Sequence, residues 1–299
     1  WNSATGELLV RESLTLNLDF DDGPSINETV PPLSLSPAFE KIYRGLILNY
    51  DQAAGRNANY HNPRLLVIYG NYGDATYQGK VDEYVAWKRQ KGYQVDAFST
   101  ATAGTTYTAI KTFIQGRYDN LNTRPDYITI IGDDSGTIAV PTYSTYMDYY
   151  YTWLAGGDNL GDVAIGRISV DSAAEMVDYM AKINILERDI NPNMGAWLDR
   201  MLLVGDSSTS GISTIYTNEY IHDRSLEINP DYTYTELYGG SPSTTAMNAA
   251  INQGVAFFNF RGWINMNGWP NTMNNMSNAY RLFHAVFITC STGSWGGGT

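Results

Sequence analysis

The stretch Tyr127-Ile128-Thr129-Ile130-Ile131-Gly132-Asp133 decides the fold. It is short, almost wholly apolar and rich in β-branched residues. It ends on Gly-Asp, as a parallel-sheet strand buried on both faces should end at a turn. Met201-Leu202-Leu203-Val204-Gly205-Asp206 repeats the pattern later in the chain. Around the first stretch, Leu65-Leu66-Val67-Ile68-Tyr69, Gln94 to Phe98 and Val163-Ala164-Ile165-Gly166-Arg167 read as strands. Val81, Tyr84, Val85 and Lys88 lie at helical spacing ahead of Gly92, a residue suited to a helix C-cap. Tyr107, Ile110, Phe113 and Ile114 mark a second helix. Ser172 and Glu175 have capping-box spacing, which predicts a helix through Met176, Met180 and Ile183 to about Arg188.

The second round has the same order. A helix through Ile215, Tyr216 and Ile221 follows Asp206, then a strand over 232–238 and a helix through Met247 and Ile251 to Gly254. Strands over 255–260 and 285–290 complete it. Alternating strands and helices give an α/β class with mainly parallel sheets flanked by helices. Two rounds predict two subdomains, 61–192 and 193–299, joined near Asn191-Pro192. No helix follows the last strand, so the second subdomain reads as incomplete at its C-terminus, with a further fragment expected after Thr299. Upstream, Leu14, Leu16, Leu18 and Phe20 alternate with polar residues, the period of a half-buried strand. Gly23-Pro24 and Pro31-Pro32 follow as turn signals. Residues 1–60 therefore read as an N-terminal β arm and connector.

Composition excludes several classes. A net charge of −12 lacks the basic footprint that nucleic acid requires. No apolar run approaches the ~18 residues of a membrane span. No glycine-rich phosphate loop follows a strand, which argues against a nucleotide site. One cysteine cannot form an internal disulfide, so redox compartment is not legible.

That cysteine, Cys290, sits in Phe287-Ile288-Thr289-Cys290-Ser291-Thr292-Gly293, where an apolar run ends in a small polar loop. Open α/β sheets place their ligands at strand carboxyl ends, and a thiol there is a candidate nucleophile. Read from position alone it is equally a small buried hydrophobe. The loops Gly132–Gly136 and Gly262–Trp269 are the other unusual strand ends.

From about residue 65 to 295 the chain resembles the gingipain-like cysteine peptidases of the caspase clan. Four runs carry the resemblance, in order: Asp126 to Asp133, Asp148 through Gly157-Asp158 to Val170, Gly254 to Gly262, and Thr289-Cys290-Ser291-Thr292-Gly293. The N-terminal arm more loosely resembles the end of the family's propeptide. The resemblance implies two caspase-like subdomains, a peptide or protein as substrate or binding partner, no required cofactor, and a secreted or cell-surface bacterial setting. It makes Cys290 the nucleophile and the backbone N–H groups of Ile264 and Cys290 the oxyanion hole. It places Asp148, Arg261 and Ile288 at the specificity pocket, and an Arg261–Asp148 pair is expected to fill that pocket.

Two departures stand out. The family's catalytic histidine falls on Trp263, which cannot accept a proton from a thiol. The orienting carboxylate is expected in the loop 133–147, which holds no glutamate and only Asp133 and Asp134. His61, His222 and His284 are the remaining imidazoles, none of them well placed by sequence. Two readings follow: a cysteine peptidase acting through Cys290, or an inactive pseudopeptidase serving as a binding, scaffold or secretion-processing component. The family also binds calcium. Asp133, Asp134, Asp158 and Asp162 are hard oxygen ligands of the right kind, or else solvated loop carboxylates. Trp263, Met266, Trp269 and Met273 are either an apolar surface for a partner or a lid over the site.

Overall fold

The computed structural model describes residues 5–6, 13, 15, 17, 36–47, 50, 60–144, 147–189, 195–240, 242–263 and 276–289. The first sheet contains β1 (Arg64–Tyr69), β2 (Gln94–Ser99), β3 (Tyr127–Ile131) and β4 (Ala164–Ile168), ordered β2-β1-β3-β4. All its pairs are parallel. The uniformly apolar run of β1 has a simple cause. Leu65 and Val67 point into one core with Tyr77, Val81, Met176 and Met180; Leu66 and Ile68 point into another with Ile110, Ile114, Ile128 and Ile130. Successive strand residues face opposite sides, so a strand covered on both faces must be apolar at every position. Each such aliphatic side chain contributes about 1.5–3 kcal/mol by leaving water.

Three helices make the covers: α2 (Ala75–Gln90), α3 (Tyr107–Asp119) and α4 (Ala173–Ile183), preceded by α1 (Pro37–Leu46). Asp74 caps α2 by accepting from the Tyr77 N–H at 2.9 Å. Ser172 caps α4 by accepting from Glu175 N–H. Glu175 reaches back one residue further than a capping box requires and accepts from Asp171 N–H at 2.6 Å. Beyond Ile183 the helix widens into a π-helical turn, Asn184–Arg188.

The second sheet repeats the plan: β5 (Arg200–Asp206), β6 (Thr233–Gly239), β7 (Phe257–Arg261) and β8 (His284–Ile288), ordered β6-β5-β7-β8 and all parallel. Helix α6 (Thr244–Gln253) buries Met247 and Ile251 against Leu202, Val204, Phe258 and Phe260. Helix α5 (Ser213–Ile228) covers the other face, but not through the residues its apolar spacing suggested. Its buried residues are Thr214, Asn218 and Ser225, while Tyr216 is exposed. The expected α/β architecture with two parallel sheets is therefore present. The alternating stretch 14–20 of the N-terminal arm lies outside the described residues, apart from positions 15 and 17, and the connector contains the helix α1. Among the described residues no helix is long and apolar enough to cross a membrane.

Candidate active site

The candidate site lies where β5, β7 and β8 end. Register fixes it: Gly205 on β5 pairs with Arg261 on β7, and Arg261 pairs with Ile288 on β8. The ladder continues one step further, with Gly262 N–H donating to the Ile288 carbonyl at 3.4 Å. The Thr289 hydroxyl then donates to the Trp263 carbonyl. Thr289 precedes Cys290 in the chain, so the thiol-bearing residue follows directly on a residue bonded to Trp263. Cys290, Ile264, Met266, Trp269 and Met273 themselves lie outside the described residues. Trp263 is 40% exposed, and its indole is a donor only.

Gly262 is glycine for want of room. A Cβ there would stand 2.7 Å from the Phe260 ring and 3.1 Å from Asp206 Cβ. That contact brings a carboxylate to the site which the sequence reading did not select. Asp206 ends β5, is 1% exposed, and its Oδ1 accepts from Ser208 N–H at 2.9 Å and Ser208 Oγ–H at 2.6 Å. The orienting carboxylate was expected in the loop 133–147. There, Asp133 lies two residues beyond the first sheet's β3 and its Oδ1 accepts from Asp134 N–H at 2.8 Å. The signal for Asp206 was in the sequence, as the second of two strands that end in Gly-Asp.

None of the three histidines stands at these strand ends. His61 Nε2 lies 3.0 Å from Asp126 Oδ2, beside the start of β1. His222 Nδ1 lies 2.8 Å from Glu236 Oε1, and its ring stacks on Tyr234 with centroids 3.9 Å apart. Glu236 is drawn below the ordinary carboxylate range: burial opposes its charge, and the His222 and Tyr238 hydrogen bonds outweigh that opposition. His284 opens β8, stacked on Phe257. Thr289 is five residues along, roughly 17 Å at strand rise.

Asp148 has a different partner from the one expected. It opens a 3-10 turn, Asp148–Thr152, and its carboxylate is held by Arg167 of β4. Arg167 Nε donates to Oδ2 and Nη2 to Oδ1, both at 2.7 Å. The remaining donors of that guanidinium meet the carbonyls of Gly132 and Val140. A strand residue of the same sheet lies directly under the loop, so it reaches Asp148 first. Arg261 instead donates to the Ile288 carbonyl at 3.3 Å. Burial pushes the neighbouring Tyr151 hydroxyl well above the ordinary phenol range.

The four aspartates named for calcium are each turned toward their own loops. Asp162 Oδ2 accepts from Leu154 and Ala155 N–H, Asp158 Oδ1 from Leu160 N–H, and Asp134 Oδ1 from Ser135 Oγ–H. Among the described residues, no three His, Cys, Asp or Glu side chains form a group that could hold a metal.

Two parallel open sheets with a candidate site at the carboxyl ends of the second define an α/β protein of the caspase-like kind. The model of Peptidase family C25 matches residues 58–298, and the chain belongs to that family. It is 24% identical to Lys-gingipain W83 of Porphyromonas gingivalis over 98% of this chain and 17% of that protein. It is 24% identical to gingipain R2 of the same organism over 86% of this chain and 36% of that protein. Its fold matches the complex of Porphyromonas gingivalis RgpB pro- and mature domains with TM-score 0.66 at 21% identity, covering 77% of this chain and 56% of that one. The Arg-specific cysteine proteinase gingipain R aligns with TM-score 0.64 at 21% identity, covering 77% and 54%. The chain thus spans well under two thirds of the length of these relatives.

Proposed function

We propose that this member of family C25 binds an extended peptide at the ends of β7 and β8 and does not turn it over at a peptidase's rate. What supports this reading is Trp263, which the family resemblance puts at the histidine position, hydrogen-bonded through its carbonyl to the residue before Cys290, with all three histidines engaged elsewhere.

The chemistry explains why the substitution matters. Thiol attack on a peptide carbonyl forms an S–C bond and an alkoxide. The C–N bond then breaks only as the amine nitrogen gains a proton. A histidine would take the first proton and give the second. Without it the thiol, with ordinary pKa near 8.5, is only a few per cent thiolate at pH 7, and the leaving amine has no donor. Loss of such a base from a coupled set costs roughly 10⁴–10⁶ in rate. Backbone N–H groups of Ile264 and Cys290 would serve as the oxyanion hole whatever their side chains are.

The retained cysteine favours a second reading, a slow peptidase acting through Cys290. The family resemblance supports a secreted or surface-held bacterial protein for either reading. Incubating wild type and Cys290→Ala with a peptide library, and measuring binding and cleavage separately, tests the proposal. Both proteins should bind, with indistinguishable cleavage. Wild-type turnover at about 1 s⁻¹ or faster, abolished by Cys290→Ala, would overturn it.

A further inference from the structure

We propose that Arg261 makes this site select a carboxylate on the bound peptide. The inference rests on the peptide-binding reading and names the chemistry of the peptide.

Arg261 is placed for contact. It is the last residue of β7, two before Trp263, and registers between Gly205 and Ile288 at the strand ends. Gly205 presents no side chain beside it. Arg261 is partly exposed, and among the described residues its hydrogen bond is one 3.3 Å contact to the Ile288 carbonyl. No described carboxylate lies within ion-pair distance of it. Asp148, the acid that would have neutralised it, is held by Arg167. Asp206 is near in sequence register but faces the other side of the sheet. Its Cβ packs under Gly262, whereas Gly205, the partner of Arg261, packs against Thr214 and Ile215 of α5.

The sequence supplies no neutralising group from Arg261's own stretch of chain. The chain has 31 acidic residues, yet none between Glu236 and the C-terminal Thr299. That interval includes the whole of β7, the loop after Arg261, β8 and the Cys290 segment. Its other arginine, Arg281, is committed at the opposite end of the sheet, donating to the Asn252 carbonyl at 2.7 Å. In a protein of net charge −12, the stretch of chain that carries Arg261 therefore brings no acid of its own, and Asp206 of β5 lies on the other side of the sheet. A guanidinium fork matches a carboxylate with two parallel hydrogen bonds, and uncompensated charge in a groove attracts its opposite. The carboxylate comes from an Asp or Glu side chain or from a peptide's own C-terminus, and the geometry serves both.

The test uses acetylated, amidated hexapeptides that differ at one position (Asp, Asn, Arg or Leu), together with an uncharged peptide bearing a free C-terminus. Binding to the full chain is followed by fluorescence anisotropy at low and high salt, so no turnover is needed. The Asp peptide or the free-terminus peptide should bind at least about tenfold tighter than its neutral counterpart, and which of the two gains identifies the source. The gain should shrink with salt, survive Arg261→Lys in part, vanish in Arg261→Ala, and pass to the Arg peptide in Arg261→Glu. Equal binding of all peptides, or preference for the Arg peptide by wild type, would overturn the inference while leaving peptide binding intact. Binding of no peptide would refute the functional reading, and this inference with it. Acid-selective binding without cleavage would sustain the inference and rule out the slow-peptidase reading.

Discussion

Arg167 grips Asp148 with both arms of its guanidinium, at 2.7 Å each, and spends its other donors on the Gly132 and Val140 carbonyls. The arginine side chain is 2% exposed and the aspartate 18%. One residue thereby ties β4, the end of β3, the loop after it and the turn at Asp148–Thr152 into one unit.

Removing that cation should be costly. Arg167→Ala leaves a largely buried carboxylate and two carbonyls without donors, and breaking such a pair typically destabilises by about 3–5 kcal/mol. Urea unfolding measures it. A loss under about 1 kcal/mol would place the pair among those that solvent screens. Asp148→Asn, which keeps one acceptor, should cost less than Arg167→Ala.

Glu187 predicts an acid-dependent loss of stability. Burial opposes its charge, but hydrogen bonds from Lys91, Trp87 and Lys88 outweigh that and hold its carboxyl at about 2. A carboxyl depressed in the folded state stabilises fully above its unfolded value, near 4.5, and that contribution fades as pH falls through the folded value. Glu187→Gln should therefore flatten the stability profile between about pH 4.5 and 2. With the site partly open to water the contribution is about 1 kcal/mol. An unchanged slope in chemical denaturation across that window would contradict it.

Gly262→Ala tests the contact that brings Asp206 to the site. The new methyl would meet the Phe260 ring and Asp206 Cβ inside van der Waals distance. Overpacking of this kind costs about 1–3 kcal/mol, and the displaced strand end should also weaken peptide binding. Thermal unfolding unchanged from wild type would show that the strand end yields freely.

The sheets were legible because a strand buried on both faces must be apolar throughout, and β1, β3 and β5 read that way residue by residue. Helix α5 was harder. It covers its sheet with Thr214, Asn218 and Ser225. Asn218 makes this tolerable by donating to the Val204 and Thr214 carbonyls and accepting from Asn259 Nδ2–H. A polar face satisfied across strands leaves no periodic apolar trace. The candidate site was half legible. The ends of β7 and β8 lie side by side, with Thr289 bonded to Trp263, as expected of the two strand ends that the sequence singled out. The partner of Asp148 and the approach of Asp206 to Gly262 depend on which side chain each neighbouring strand presents, and no linear spacing encodes that.

The measurement closest to the central claim is peptide hydrolysis by Trp263→His. An imidazole at 263 would follow Gly262 just past the end of β7, at the position whose backbone carbonyl already accepts from the Thr289 hydroxyl. If the site lacks only its base, the variant should cleave at least about 100-fold faster than wild type. It should lose that gain with Cys290→Ala. A folded, peptide-binding Trp263→His protein that cleaves no faster than wild type would contradict the account.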